Sequence, residues 1–318
     1  MAKIAVNIVT GFLGSGKTTF LSELLRDSRE NIAVLVNEFG DSGLDDSILA
    51  SFFVEEQTIL LNQGCICCNR RQDLADKLKE ILNLYHTSGK KLDKVVIETT
   101  GLATIEPILF TILSDTFLQN HFFVNAVFTC IDSLNGLEHL KNEENIAQIV
   151  NSDYLLITKT DIKQDTKMLE KELRGLNYSA LIFNKNEFCN DEFFNINFKK
   201  RLVNNPKDLN SHNANIKTIS LNIQGQMDWS AFGIWLSALL YKYGDKILRV
   251  KGLLNINDEY LINVNGVRHL VYPPIHIKKT KTYMESNLVF ISKEMDLDKV
   301  FSSLQSFSKL LNIQIQTC

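Results

Sequence analysis

No apolar run in this 318-residue chain approaches the roughly 20 residues that a membrane-spanning helix needs. The start, Met1-Ala2-Lys3-Ile4-Ala5-Val6, lacks the long apolar region and small-residue cleavage site of a secretory leader. A net charge of −3 gives no electrostatic reason to expect nucleic acid or an anionic membrane as partner. Cysteines number only six, and three of them fall within residues 65–68, which is no pattern for a disulfide framework. Adjacent Cys67 and Cys68 are poorly placed to bridge each other, and a reducing cytosol suits free or metal-bound thiols. There is no internal repeat. What remains is an ordinary globular composition, 45% hydrophobic and 22% charged, long enough for one larger domain and one smaller one. The expected setting is cytoplasmic.

Over residues 1–183 short β-rich runs alternate with helical patterns, the signature of a mostly parallel sheet wrapped by helices. Strands are expected at 3–9, 32–36, 95–97, 124–131, 154–157 and 180–183. Residues 17–26 carry Phe20, Leu21, Leu24 and Leu25 at helical spacing, and Leu74, Leu78, Ile81, Leu82 and Tyr85 form a second helical stripe with Asp73 as its expected cap. From 184 to 215 asparagine, lysine and acidic residues take over, with Asn204-Asn205-Pro206 as a breaker, so a polar linker is expected there. Residues 216–318 then read as a small α+β unit. Its expected elements are a strand at 216–223, an aromatic helix at 227–241 with Asp228 near its start, a hairpin across Asn257-Asp258-Glu259, a strand at 288–291 and a final helix within 297–311.

The loop Gly11-Phe12-Leu13-Gly14-Ser15-Gly16-Lys17-Thr18 fits the pattern G-x-x-x-x-G-K-[ST], and Thr19 follows it. Glycines let backbone N–H groups turn inward around phosphate oxygens, and the positive end of the following helix adds to them. Lys17 would reach the β- and γ-phosphates, and the Thr18 hydroxyl would ligate Mg²⁺. A strand at 95–97 runs into Glu98-Thr99-Thr100-Gly101, which offers a carboxylate near that metal and a backbone N–H at Gly101 near the γ-phosphate. Thr158-Lys159-Thr160-Asp161 is a variant of the guanine signature N-K-x-D. The Asp161 carboxylate can accept from both N1–H and the exocyclic amine of guanine, a pair adenine does not supply, and the Lys159 stem lies along the purine.

Cys65-Ile66-Cys67-Cys68 follows on the same half of the chain. In an extended segment Cys65 and Cys67 point to one face and Cys68 to the other, and the thiolates suit Zn²⁺ or Cu⁺ better than Mg²⁺. Zinc prefers four ligands, so Glu38, a histidine, solvent or a client would complete the shell. An incomplete shell suits a donor. Three small side chains filling a core gap would be the purely structural reading, and core or surface filler is also the reading for Cys130 and Cys189. Arg70-Arg71 could lower the thiol pKa values, stabilise phosphate, or form a solvated basic pair.

Thr10–Thr19, Val36-Asn37-Glu38-Phe39-Gly40, Gly64-Cys65-Ile66-Cys67-Cys68 and Ile97-Glu98-Thr99-Thr100-Gly101-Leu102-Ala103 together resemble the CobW-type GTPases of cobalamin, nitrile hydratase and zinc metabolism. Leu248-Arg249-Val250-Lys251-Gly252 and Asn265-Gly266-Val267-Arg268-His269 resemble that family's C-terminal domain. The resemblance implies an α/β P-loop NTPase domain followed by a smaller α+β domain. It also implies a Mg²⁺-dependent GTPase of slow intrinsic turnover that binds a transition metal, most often zinc, with cobalt or another as alternatives, and delivers it to a metalloprotein client. By matching position, Gly14, Gly16, Lys17, Thr18 and Thr19 bind nucleotide, Glu38 and Asp45 lie in the first switch segment, and Asp41 stands where the family often has an acid. Lys17, Glu38, Asp45 and Glu98 are the expected catalytic set, with Gly11, Ser15, Gly101, Thr158, Lys159 and Asp161 completing the nucleotide site. Cys65, Cys67, Cys68 and Glu38 are the expected transition-metal ligands, and Thr18 with Glu98 those for Mg²⁺. Two departures stand out: Thr104-Ile105 replaces the usual Asp-Pro, and the linker holds only His212 where many members have a histidine-rich stretch. A GTP-regulated metal sensor or buffer without a client is the alternative. The C-terminal domain is the expected client or self-association surface.

Overall fold

The computed structural model describes residues 3–26, 28, 30–36, 60–61, 71–188, 193, 216–279, 285–296, 298–311 and 314–317. Glu38, Asp41, Asp45, Cys65, Cys67, Cys68, Arg70, Cys189, His212 and Cys318 lie outside the described residues, as does the side chain of Arg71. The chain divides into two compact units, 1–169 with 181–197 and 170–180 with 198–318.

In the first unit the strands are β1 (Ile4–Thr10), β2 (Ile32–Val36), β3 (Leu60–Leu61), β4 (Lys94–Glu98), β5 (Phe122–Asp132), β6 (Tyr154–Thr158) and β7 (Leu181–Asn184). They form one sheet in the order β3-β2-β4-β1-β5-β6-β7. Every pairing recorded in it is parallel. The central strands read as continuous apolar runs because both of their faces are covered: all five residues of β4 and of β6 are buried. Its helices in chain order are α1 (Lys17–Arg26), α2 (Arg71–Ser88), α3 (Glu106–Ser114), α4 (Thr116–His121), α5 (Gly136–His139) and α6 (Glu143–Val150), and α7 (Lys167–Leu176) falls mostly in the second unit, which takes residues 170–180. Leu74, Leu78, Ile81, Leu82 and Tyr85 of α2 are all buried, as their spacing requires. Asp73, expected as the cap of α2, lies instead in its first turn, because the helix begins at Arg71. A carboxylate there still complements the helix dipole.

The polar stretch set off at 184 by its composition contributes to this unit's packing. Phe188 and Phe193 are buried against Phe20, Phe128, Tyr154 and Phe183. The apolar residues here (Phe188-Cys189, Phe193-Phe194) come in short pairs between polar ones, so no periodic pattern announces them. This aromatic cluster holds Phe20 of α1, the helix that follows the glycine loop, and Phe128 of β5, which pairs with the strand that precedes it.

The second unit is built on strands β8 (Ile216–Gln224), β9 (Ile247–Asn255), β10 (Tyr260–Val267), β11 (Leu270–Val271), β12 (Ile275–Lys278), β13 (Glu285–Lys293) and β14 (Gln314–Thr317), with helices α8 (Trp229–Tyr243) and α9 (Asp298–Leu311). The sheet runs β11-β10-β9-β13-β8-β14, with β12 also on β10, and its pairings are antiparallel. Asp228 caps α8 by accepting from the Ala231 N–H at 2.8 Å. Phe232, Trp235, Leu236 and Leu239 of α8 join Leu221, Val250, Ile262 and Phe290 from the sheet in one core. The expected hairpin joins β9 to β10, and Asn257 turns it by accepting from the Glu259 and Tyr260 N–H groups.

Candidate functional site

In the parallel sheet the carboxyl ends of β1, β4, β5 and β6 lie side by side, and the loops that leave them converge there. β1 ends at Thr10 and the chain enters the glycine loop. Gly11, Gly14 and Gly16 have φ of 143°, 69° and 84°, backbone that L side chains rarely adopt. At Gly11 a Cβ would also stand 2.4 Å from the Cys130 carbonyl oxygen and 2.6 Å from Ser15 Oγ. Gly11→Ala is therefore expected to weaken GDP and GTP binding together, with about 1–3 kcal/mol of overpacking strain. Nucleotide titration beside thermal denaturation checks it, and full retention of both affinities would be the contrary result.

Lys17, at the start of α1, donates from Nζ to the carbonyls of Gly11 at 2.9 Å and Phe12 at 3.2 Å, so its ammonium is folded back over the loop. One residue on, Thr18 Oγ1 donates to Glu98 Oε1 at 2.7 Å. Glu98 closes β4 and is buried, and β4 lies beside β1, so pairing of two strands brings residues 80 positions apart into contact. A threonine hydroxyl and a buried carboxylate make a hard oxygen pair of the kind Mg²⁺ selects. Thr99 continues the junction, with its N–H on the Val9 carbonyl at 2.9 Å and its hydroxyl on Thr10 Oγ1 at 2.7 Å. Gly101 then passes so close to the glycine loop that a Cβ would lie 2.6 Å from Leu13 N and 2.8 Å from Leu13 Cα.

Thr158, at the end of β6, lies under the glycine loop. Its hydroxyl donates to the Ser15 carbonyl at 2.7 Å and also contacts the Ile131 carbonyl at 3.2 Å. Where asparagine is usual, threonine thus ties the two loops together. Lys159 has φ of 57°, and its Nζ meets Asp132 Oδ2 at 2.8 Å. Burial pushes the Asp132 carboxyl up, but hydrogen bonds from Lys159, the Leu134 N–H and the Asn135 amide outweigh it and leave the group below its ordinary range. Asp132 was not singled out in the sequence, although an acid ending the apolar run of β5 is a legible signal. Asp161, two residues past Lys159, is exposed at the same end of the sheet. Cys130 is wholly buried beneath the glycine loop, and burial pushes its thiol up to about 12, so it is a core thiol and no metal ligand.

The structure thus brings together Gly11, Gly14, Ser15, Gly16, Lys17, Thr18, Glu98, Gly101 and Thr158, with Thr19 in the first turn of α1. Among the described residues no group of three or more His, Cys, Asp or Glu side chains could hold a metal ion, and no helix is long and apolar enough to cross a membrane.

A parallel sheet with a glycine-rich loop between its central strand and first helix, and an acid on the neighbouring strand end, defines a P-loop nucleotide-binding protein. More narrowly, the chain belongs to the CobW/HypB/UreG family: residues 5–184 match its nucleotide-binding domain and 216–308 match the cobalamin synthesis protein cobW C-terminal domain. It is 32% identical over 275 residues to the zinc chaperone YjiA of Escherichia coli (strain K12), covering 81% of this chain and 84% of that protein. Zinc-regulated GTPase metalloprotein activator 1 of Schizosaccharomyces pombe is 36% identical over 166 residues, covering 50% of this chain and 39% of that one. In fold, the Zn(II)-bound YjiA GTPase from E. coli superposes with a TM-score of 0.73 over 96% of this chain and 99% of that chain, at 23% identity.

Proposed function

We propose that this protein is a GTP-hydrolysing metallochaperone that binds zinc at Cys65, Cys67 and Cys68 and passes it to a metalloprotein client under nucleotide control. GTP hydrolysis is the activity of its family, and the protein is a GTPase. The single observation that carries the nucleotide side of the proposal is the Thr18–Glu98 contact of 2.7 Å above the glycine cradle. Thr18 and Glu98 would hold Mg²⁺, which when bound neutralises charge developing on the β- and γ-phosphate oxygens. Lys17 would swing from the loop carbonyls to phosphate, Gly101 would offer its N–H to the γ-phosphate, and Asp161 would read guanine. Glu38 and Asp45 are the proposed switch acids, either of which could orient the attacking water.

Topology supports coupling to the metal. Leu35 of β2 pairs with both Leu61 of β3 and Ile97 of β4, so the chain leaves β3 level with Glu98 at the carboxyl end of the sheet. Cys65 follows Leu61 by four residues, and the strands between are spaced about 4.8 Å apart. Zinc as cargo rests on the zinc chaperone and zinc-regulated relatives together with the soft thiolate set. The domain division proposed is a GTPase domain over 1–183, a polar linker over 184–215 and a C-terminal domain over 216–318 that receives the client or a second copy. The proposed setting is the cytoplasm.

Because coupling is reciprocal, zinc affinity with GDP should differ from that with a non-hydrolysable GTP analogue by about 5- to 150-fold, and zinc should shift nucleotide affinity by the same factor. Competition titration with a chromophoric chelator checks this, repeated on the Cys65→Ser, Cys67→Ser, Cys68→Ser variant, which should lose the site. Equal zinc affinity in both nucleotide states would remove the coupling, and an unchanged triple variant would remove the motif.

A further inference from the structure

The loop between β4 and α3 is gripped by a residue far from it in sequence. Gln148, in the last turn of α6, is fully buried. Its Nε2 donates to the Gly101 carbonyl at 3.2 Å and to the Ala103 carbonyl at 2.9 Å. The direction of the amide is dictated by chemistry, because the reversed orientation would face Oε1 against two carbonyl oxygens. Oε1 has no hydrogen-bond partner among the described residues, so the side chain holds this pose for the two bonds its nitrogen makes.

Gln148 is itself held from behind. Its backbone carbonyl accepts from Ser152 Oγ at 2.6 Å and from Thr129 Oγ1 at 3.3 Å, and those two hydroxyls also meet each other. Thr129 lies in β5, beside β1, so the anchor belongs to the sheet that carries the glycine loop. Three residues on, Asn151 Nδ2 donates to Glu106 Oε1 at 3.2 Å, at the far end of the same loop. Residues 101–106 are therefore tied at both ends by amides from the end of α6. Gly101 is also pressed against the Leu13 backbone. Withdrawal of the loop from α6 would break both hydrogen bonds, and movement of Gly101 onto Leu13 is closed by contact.

We propose that Gln148 is a positioning residue for the GTPase reaction: it fixes the peptide following Gly101 against the glycine loop, and so sets how well the site distinguishes GTP from GDP. The inference rests on the reading of Gly101 as the residue that meets the γ-phosphate.

The test compares Kd for GDP and for a non-hydrolysable GTP analogue, with single-turnover hydrolysis, in the full chain and in Gln148→Met and Gln148→Glu. Gln148→Met removes both donors at similar volume. It should weaken the analogue about tenfold, the combined worth of two neutral hydrogen bonds, and slow hydrolysis, while the GDP affinity stays put. Gln148→Glu recovers one donor only when protonated, so its deficit for the analogue relative to GDP should shrink as the pH falls, whereas a merely structural role would move both nucleotides in parallel. If the unsubstituted protein binds GDP and the analogue equally well, the γ-phosphate role of Gly101 fails. If it discriminates and the variants lose both nucleotides in parallel, or neither, the role of Gln148 is overturned. Should Gln148→Met not fold, the pH profile of Gln148→Glu decides alone, with a flat profile counting against the proposal.

Discussion

Glu98→Gln is expected to slow Mg²⁺-dependent GTP hydrolysis about a hundredfold, a loss of about 3 kcal/mol, in a protein that still folds and still binds GDP. The substitution keeps the shape and keeps an oxygen where Thr18 Oγ1 now donates at 2.7 Å, so the link between α1 and β4 survives. What disappears is a buried negative charge at the proposed seat of the phosphates' cation. Thr18→Val is the companion change: it removes the hydroxyl and leaves Glu98 buried without that donor. Because the two residues are proposed to act as one oxygen pair, the double variant should lose little more than either single one. Single-turnover hydrolysis across a Mg²⁺ titration checks both expectations. An unaltered Mg²⁺ dependence in Glu98→Gln would show that this pair is not the cation's seat.

The second large effect concerns the base. Asp161→Asn should cost at least about a hundredfold in GTP affinity, since a site built to accept two hydrogen bonds discriminates strongly once one is lost. The same variant should gain affinity for xanthosine triphosphate. Asparagine offers one acceptor and one donor, which match the N1–H and the C2 carbonyl of xanthine, whereas a carboxylate would face that carbonyl unfavourably. Asp161 is exposed, so the exchange carries little folding cost. Lys159, paired with Asp132 at 2.8 Å and set at φ 57°, is proposed to lie along the purine face in either case. Competition between the two triphosphates reads the outcome. Undiminished GTP binding with no gain for the xanthine nucleotide would place the guanine reader elsewhere.

Much of the candidate site was legible because its chemistry depends on local order. The glycine loop must present consecutive N–H groups, so Gly11 to Thr18 are contiguous and recognisable. Glu98 was legible by position, as an acid ending an apolar strand with glycine three residues later. Asp132 carried the same kind of signal at the end of β5 and was passed over because no adjacent glycine or motif marked it. Gln148 carried no signal at all. Its role comes from where α6 ends relative to the loop after β4, a relation across a separation of 47 positions that is not encoded locally. Short strands behaved likewise: β11 and β14 span two and four residues, too few for alternation to be read, and they exist because a neighbouring strand edge pairs with them.

The sequence by itself determined the class of chemistry: a phosphate loop, a guanine signature, a trio of clustered thiols and two successive units of different architecture. These are properties of neighbouring residues, where composition and spacing act directly. Tertiary structure decided which distant residues share a site. Parallel pairing of β1 with β4 put Thr18 on Glu98, alignment of β6 with β5 put Lys159 on Asp132, and the end of α6 closed on the loop that Gly101 opens. The physical reason is that strand order and register are set by burying apolar faces over the whole sheet. The polar contacts at its carboxyl edge follow from that burial and from no pattern of their own.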